Sequence, residues 1–463
     1  MKFLLFGTGD YYERYKKWFD SKEVLALLDN SETKQNTIID GIQVLLPKDG
    51  VEQTFDVIVI LSFYVKEMKK QLLDLGVSED KIYHFYDLHK LIEPNKLTKS
   101  VRYFKDAERI VKSDGPKEKI LLLSQDMTLG GPAIALLNMA EILLKHGYDV
   151  IYASMIDGPL RERIISYGIS VIVDENMQVG TMHDVNWIEK FSLLFCNTIN
   201  FHVFLSKRDI NKKTIWWLHD SSFFYSGVDK AVLQNINRMG LNVYSVGPVP
   251  KNAIQTLIPD MPVNELLYGV ADTVNCIKKT KNDRICFVTI GYIEKHKGQD
   301  ILLQAIKLMP QKIRKKAVFY LVGQNTSIMA EKLKKEIKKI PEIIITGTLT
   351  RDGIDEILHS ADVLICPSRQ DSMPTVAAEA MMHSVPCILS DATGTAAYIQ
   401  KEIDGFIFRS EDACDLLKKM EWCIENPDKL SEFGIKSRLI YEKFFSMKTF
   451  EKNLLNVING ISK

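Results

Sequence analysis

The chain has 463 residues, 46% of them hydrophobic and 26% charged, and a net charge of +1. That length bounds about three domains of roughly 100–200 residues each, and the balanced charge excludes a whole-chain field for nucleic acid. Seven scattered cysteines with no C-x-x-C pair exclude a zinc ribbon or a disulfide framework and favour reduced thiols in a cytoplasmic protein.

Residues 1–92 read as a small Rossmann-like accessory domain. Lys2–Phe6 is an apolar strand, and Gly7-Thr8-Gly9 turns the chain into a helix through Tyr11 to Phe19. Val24–Leu28 is a second strand closed by Asp29, Asp56–Leu61 a third, and Val65–Leu75 a helix. A G-x-G after the first strand and an acid after the second form half of a dinucleotide fingerprint, with Gly7 and Gly9 for a pyrophosphate and Asp29 for a ribose. Tyr12 stands where the third glycine belongs, so a structural or assembly role, including an oligomer contact, stays open beside nucleotide binding. Residues 93–118, polar and broken by Asp114-Gly115-Pro116, read as a linker.

Lys119–Ser124 opens a second domain, expected over 119–275. A Gly130-Gly131-Pro132 loop follows, then an apolar helix Ala133–Leu144 and a strand Asp149–Ala153. The two glycines let a backbone approach a ligand without interference from Cβ. Leu193–Cys196, Thr214–Leu218, Val243–Val246 and Glu265–Val270 are further strands, and the second of these ends in His219-Asp220-Ser221.

A third domain is expected over 276–440. Arg284–Ile290 is its first strand, running into Gly291 and then Lys297-Gly298 before an amphipathic helix Ile301–Met309. Ala317–Val322 ends at Gly323-Gln324-Asn325, and Glu342–Thr346 ends at Gly347. Between them Glu331–Lys339 is lysine-rich, which reads as a solvated helix face or as contact with anionic lipid headgroups. No apolar run approaches the roughly 18 residues that span a bilayer. The expectation is therefore a cytoplasmic protein with peripheral contact at the inner membrane face.

The densest stretch is Ser360–Asp404. A buried strand Val363–Cys366 ends in Pro367-Ser368, a polar loop carries Asp371, helix composition runs from Thr375 to His383 with Glu379 within it, and Val385–Leu389 is apolar again. Strand, loop, helix, strand is the parallel α/β unit, whose ligands sit at the carboxyl ends of strands. Helix-start N–H groups suit a phosphate and a carboxylate one or two turns on suits ribose hydroxyls. The outline is that of a nucleotide-sugar site. Residues 441–463 are expected as a C-terminal helix returning to the second domain.

Asp371-Ser-Met-Pro-Thr-Val-Ala-Ala-Glu379-Ala-Met-Met-His-Ser-Val-Pro-Cys-Ile resembles the E-x7-E signature of the retaining glycosyltransferases of family 4. The resemblance spans roughly residues 119–460 through Gly130-Gly131, His219, Lys297-Gly298 and Asp371…Glu379 in the family's order. It implies the α/β GT-B architecture of two facing Rossmann-like domains, here preceded by the accessory domain. The family's G-x-x-x-x-[R]-K-G-x-D loop corresponds to Gly291–Asp300, with Lys297 on the donor diphosphate. Tyr292 and His296 stand where many relatives carry arginine, and Asp371 where glutamate is usual.

The implied activity is transfer of a sugar from a nucleotide-diphosphate sugar, UDP ahead of GDP, to a glycan, lipid-linked glycan or cell-surface polymer, with retention of configuration. No further cofactor is required. Catalytic roles fall to His219, Asp371 and Lys297. Donor contacts fall to Gly130, Gly131, Gly291, Lys297, Gly298, Gly323, the Ser372-Met373-Pro374-Thr375-Val376 segment and Glu379. No D-x-D triplet occurs, so metal-bridged diphosphate binding lacks its usual ligands and no metal site is expected. A non-catalytic subunit supporting a partner transferase is the alternative. A phosphorylase or epimerase on the same fold, and an NAD-binding role for residues 1–92, rank below it.

Overall fold

The computed structural model describes residues 1–92, 99–113, 119–274, 283–324 and 327–462. Parts of the expected linker (93–98 and 114–118), the expected boundary at 275–276, Cys276 and Asn325 lie outside the described residues. The chain divides into two compact units, Met1–Val243 with Ile254–Met261, and Tyr244–Ala253 with Pro262–Lys463.

The first unit opens with six strands, β1 (Phe3–Phe6), β2 (Val24–Leu28), β3 (Ile38–Ile39), β4 (Ile42–Leu45), β5 (Val57–Ile60) and β6 (Ile82–His84), in the order β3-β4-β2-β1-β5-β6. All four residues of β1 and of β5 are buried, which is why FLLF and VIVI read as unbroken apolar runs. Gly7 has φ +111°, and a Cβ there would stand 2.6 Å from the Leu61 carbonyl oxygen, so the turn after β1 takes only glycine. The Asp29 carboxylate is engaged inside the module: it accepts from the Ser31 N–H at 2.9 Å, from the Thr8 hydroxyl, and from Lys34 Nζ at 3.2 Å. Tyr12 is buried and donates to Asp40 at 2.9 Å.

The second sheet holds β7 (Arg102–Phe104), β8 (Lys119–Asp126), β9 (Asp149–Ile156), β10 (Ser170–Val173), β11 (Leu193–Asn197), β12 (Lys213–Leu218), β13 (Leu241–Ser245) and β14 (Val263–Glu265), ordered β14-β13-β12-β11-β8-β9-β10-β7. β7 pairs antiparallel with β10, and a helix Ala107–Lys112 follows it. The described part of the expected linker is therefore an edge strand of this sheet and a helix. The strand expected at Glu265–Val270 is β14, which ends at Glu265. β1 to β12 fall within the first compact unit, and β14 is counted with the second.

The second unit carries β15 (Ile285–Ile290), β16 (Ala317–Val322), β17 (Ile343–Gly347), β18 (Val363–Cys366), β19 (Cys387–Ser390) and β20 (Phe406–Phe408), ordered β17-β16-β15-β18-β19-β20 with every pairing parallel. Phe287, Phe319, Ile365, Ile388, Phe406 and Phe433 fill its core. The strand order reverses between β15 and β18, the point where doubly wound sheets open a crevice for ligands. The C-terminal stretch is two helices, Pro427–Ile440 and Met447–Ser462, separated by a π-helical turn Tyr441–Phe445, so the helix expected over 441–463 begins at Met447. The last helix, expected to return to the second domain, is counted with the second unit, where a Cβ on Gly269 would meet Met447 Sδ at 2.7 Å. Among the described residues no helix is long and apolar enough to cross a membrane. The six described cysteines are free thiols.

Candidate functional site

The loops after β15 and β18 flank the reversal in strand order, and they carry Lys297 and Asp371. Three glycines bring the loop after β15 into place. Gly291 has φ +149°, and Gly323, at the end of β16, has φ +140° and packs so close that a Cβ would lie 2.2 Å from the Gly291 carbonyl oxygen. Gly298 has φ +71° and precedes the helix Gln299–Leu308; a Cβ there would stand 2.0 Å from the carbonyl oxygen of Pro367, at the end of β18. Glycine at 298 thus joins the two loops by backbone contact.

The result is a salt bridge. Lys297 Nζ donates to Asp371 Oδ2 at 2.7 Å, both side chains largely buried. Burial alone would lower the lysine pKa, but the Asp371 carboxylate outweighs it and holds the ammonium above its ordinary value. Lys297 therefore stays protonated at neutral pH, paired with the Asp371 carboxylate.

Arg369, which the sequence reading passed over, is the tie between these loops. Its guanidinium donates to both carboxylate oxygens of Asp300 at 2.7 and 2.8 Å and to the Lys295 carbonyl at 2.6 Å, while its own N–H donates to the His296 carbonyl at 2.8 Å. A bidentate arginine fork fixes geometry as well as distance. His296 itself faces Glu294 at 3.2 Å, and Tyr292 is exposed.

The Asp371 loop rests on Gly394, where a Cβ would meet the Ser372 carbonyl oxygen at 1.8 Å. Met373 is buried, with its sulfur 3.1 Å from the Thr395 hydroxyl and its carbonyl accepting from Tyr268 at 3.1 Å. Pro374 precedes the helix Thr375–Met382 and no side chain caps that end. Ser372, Thr375 and Val376 are half-buried, and the first-turn N–H groups have no partner within the helix.

Glu379 lies on the same helix, 8% exposed, and is held by Arg351, the first residue of the helix Arg351–Ser360. Arg351 also lies 3.8 Å from Asp355, which in turn faces His383 at 3.1 Å. Arg351 is the second residue of this cluster that sequence reasoning did not mark. The Glu379 helix ends in a six-to-one and a five-to-two bond, Val385 N–H to the Ala380 carbonyl at 2.8 Å and Ser384 N–H to the Met381 carbonyl at 3.0 Å. That closure needs a left-handed residue, and Ser384 supplies it at φ +56°.

In the first unit, Gly130 precedes the helix Gly131–Lys145 with φ −74°, and a Cβ there would meet only the Thr128 hydroxyl at 3.3 Å. Both glycines are exposed, so neither backbone strain nor packing demands glycine at 130. His219 follows β12. It is 8% exposed, its ring stands edge-on to Trp217 at 4.3 Å, and its Nε2 has no partner among the described residues. Burial drives its pKa down to about 3, so it is a neutral imidazole that can make one further hydrogen bond. Asp220 beside it accepts from the Ile199 N–H at 2.7 Å and is pushed up by burial to about 6. Among the described residues no cluster of His, Cys, Asp or Glu could hold a metal ion.

Comparison with known proteins gives three matching segments. Residues 275–439 match the family "Glycosyl transferases group 1", residues 117–253 match "Glycosyl-transferase family 4", and residues 1–83 match "C2185-like, N-terminal". A 41.2 kDa protein in the cps region of Klebsiella pneumoniae is 27% identical over 31% of this chain and 38% of its own length. A glycosyltransferase of Haemophilus influenzae is 21% identical over 70% of this chain and 95% of its own. The Escherichia coli UDP-Gal:alpha-D-GlcNAc-diphosphoundecaprenol alpha-1,3-galactosyltransferase is 24% identical over 28% of this chain and 34% of its own. The chain thus spans little more than a third of the first and the third. Among solved structures, HepE of Anabaena in complex with UDP superposes with a TM-score of 0.64 at 17% identity, covering 74% of this chain and all of HepE. That likeness gives the GT-B fold.

Proposed function

We propose, for a chain that belongs to the glycosyltransferases of the family 4 and group 1 type, that it transfers a sugar from a nucleoside-diphosphate sugar to a saccharide acceptor with retention of anomeric configuration. The observation that carries this reading is the meeting of Lys297 and Asp371 at 2.7 Å on the two sides of the strand reversal, with Glu379 on the adjoining helix. Crystals of HepE contain UDP-glucose, and the E. coli relative is named for UDP-galactose and a lipid-diphosphate acceptor. Both favour UDP over GDP as the nucleotide, and the second favours a lipid-linked glycan as the acceptor.

Lys297 takes the diphosphate, aided by the first-turn N–H groups of Thr375 and Val376. Glu379 takes the ribose hydroxyls, and Asp371 with the Ser372 backbone takes the donor sugar. Gly291 and Gly323 leave the backbone open to the nucleotide, and Gly130-Gly131 to phosphate or acceptor. His219, neutral and with one nitrogen unpaired, is assigned a sugar hydroxyl. In the transfer step the bond from the anomeric carbon to the diphosphate oxygen breaks and its electron pair leaves with the diphosphate. The acceptor oxygen bonds to the same face of the sugar, and its proton passes to the departing phosphate oxygen. Lys297 and the helix N–H groups meet the charge that develops on the leaving group.

The test is incubation of the protein with UDP- and GDP-sugars, followed by proton NMR of the released or transferred sugar. An anomeric proton coupling in the first-formed product that matches that of the donor supports retention; the coupling of the opposite anomer contradicts it.

A further inference from the structure

The N-terminal sheet lies against the carboxyl ends of the second sheet. Arg14 reaches Asp126 at the end of β8 at 3.4 Å, Trp18 Nε1 donates to Gln178 Oε1 at 2.7 Å, and Lys90 pairs with Asp229 at 2.8 Å. Tyr86 meets His202 edge-on at 5.1 Å, and a Cβ on Gly227 would stand 3.0 Å from the His84 ring. Tyr15 and Phe85 from the module line the same small space as Gln125, Met155, Asn200 and His202 from the ends of β8, β9 and β11. The module therefore covers much of the edge where parallel α/β sheets bind ligands.

At the end of β12, where His219, Asp220 and Ser221 are buried, the module adds a partly exposed aromatic stripe. The chain after His219-Asp220 bends through a Phe224 N–H to Ser221 carbonyl bond of 3.0 Å into the turn Phe224–Gly227. From the module, Phe63 packs on Phe224 with centroids 4.6 Å apart and on Tyr11 at 4.3 Å, and Tyr64 packs on Phe223 at 5.8 Å. Tyr64 is 45% exposed, and Phe63, Phe223 and Phe224 are half-buried. The stripe begins within a few residues of the buried, unpaired Nε2 of His219.

We propose that this stripe is the platform for the saccharide ring of the acceptor, so that residues 1–92 are part of the acceptor site. The proposal rests on the transferase reading above. A sugar ring presents one face of C–H bonds whose electropositive hydrogens match the negative face of an aromatic ring, while its hydroxyl rim stays in water. Half-wet aromatic rings, the first of them four residues after a histidine with an unsatisfied nitrogen, meet both requirements. The His219 nitrogen supplies the hydrogen bond that fixes a hydroxyl, and the aromatic rings supply area.

Saturation-transfer NMR tests this with UDP and with methyl α-glucoside, α-galactoside, α-mannoside and N-acetylglucosaminide as probes, on wild type, Tyr64→Ala and Phe223→Ala. The expected result is saturation of the axial ring protons of at least one glycoside in wild type. In each variant that glycoside should bind about tenfold more weakly, with the UDP signal unchanged in all three proteins. A wild type that saturates UDP but no glycoside, or variants that keep the full glycoside signal, overturns the proposal and leaves the donor reading intact. A wild type without a UDP signal contradicts the transferase reading and takes this proposal with it. A wild-type dimer that either variant dissolves on gel filtration overturns it in favour of a contact between copies.

Discussion

Lys297 Nζ and Asp371 Oδ2 lie 2.7 Å apart, although 74 residues separate them in the chain. β15 and β18 are adjacent in the sheet, and each residue follows one of them, so the pairing is a product of the doubly wound order. The ammonium is neutralised by the carboxylate. A diphosphate that displaces Asp371 from the lysine would leave the carboxylate free to turn toward the donor sugar.

Arg351 holds Glu379 in the same manner. Removing the cation by Arg351→Met leaves a largely buried carboxylate alone. Because the arginine is half exposed, the cost is about 1–2 kcal/mol, below that of a fully buried pair. Ribose hydroxyls would relieve that cost, so UDP is expected to raise the melting temperature of Arg351→Met by more than that of wild type. Equal shifts would count against Glu379 as the ribose ligand.

Arg369 positions rather than reacts. Arg369→Met severs the fork to Asp300 and the bond to the Lys295 carbonyl, and is expected to raise the donor KM about tenfold or more by loosening the Lys297 loop. Arg369→Lys should recover little, since an ammonium cannot form the fork. Steady-state kinetics with donor varied reads this directly; unchanged KM in both variants contradicts it.

Ser384 closes the Glu379 helix in a left-handed conformation at φ +56°. Ser384→Gly removes that strain and should stabilise the protein by about 0.5–1 kcal/mol in urea unfolding, after allowance for glycine's greater freedom in the unfolded chain. Ser384→Val, branched at Cβ, should destabilise by more than the glycine gains.

Asp220 makes a pH prediction of definite sign. Its pKa in the fold is raised to about 6 by burial, above the ordinary 3.8, so between about pH 4 and 6 the folded protein holds a proton that the unfolded chain has lost. The contribution of this group to stability is full below about pH 4 and is lost as pH rises through 6. Asp220→Asn lacks this loss. The stability difference between variant and wild type is therefore expected to move in favour of the variant by up to about 3 kcal/mol from pH 4 to pH 7. A pH-independent difference would contradict the burial of this carboxylate. The neutral His219 and His202, lowered by burial to about 3 and about 4, act with the opposite sign in both proteins and cancel in the difference.

The second unit was legible because its strands are buried on both faces and so appear as plain apolar runs, and because Gly298 and the two acids sit where strand ends meet helix starts. Arg351 and Arg369 were not legible. Each gains its meaning from a partner brought near by the sheet, Glu379 in one case and Asp300 in the other, and nothing in their local sequence marks them. Ser384 hid a left-handed position behind a residue that seldom occupies one. β7 escaped because a three-residue edge strand in a charged stretch needs only one neighbour and buries little. Met373, expected to meet the donor by its place in the motif, has its sulfur against the Thr395 hydroxyl, a contact that only the folded chain reveals.

The central claim is that the strand reversal of the second unit binds a nucleoside diphosphate through Lys297 and Glu379. Calorimetric titration of UDP into wild type, Lys297→Ala and Glu379→Ala tests it most directly. The account predicts saturable binding to wild type and a loss of about tenfold to a hundredfold in each variant, the usual range for removing one charged hydrogen-bonding partner. UDP affinity that is equal in all three proteins would contradict it.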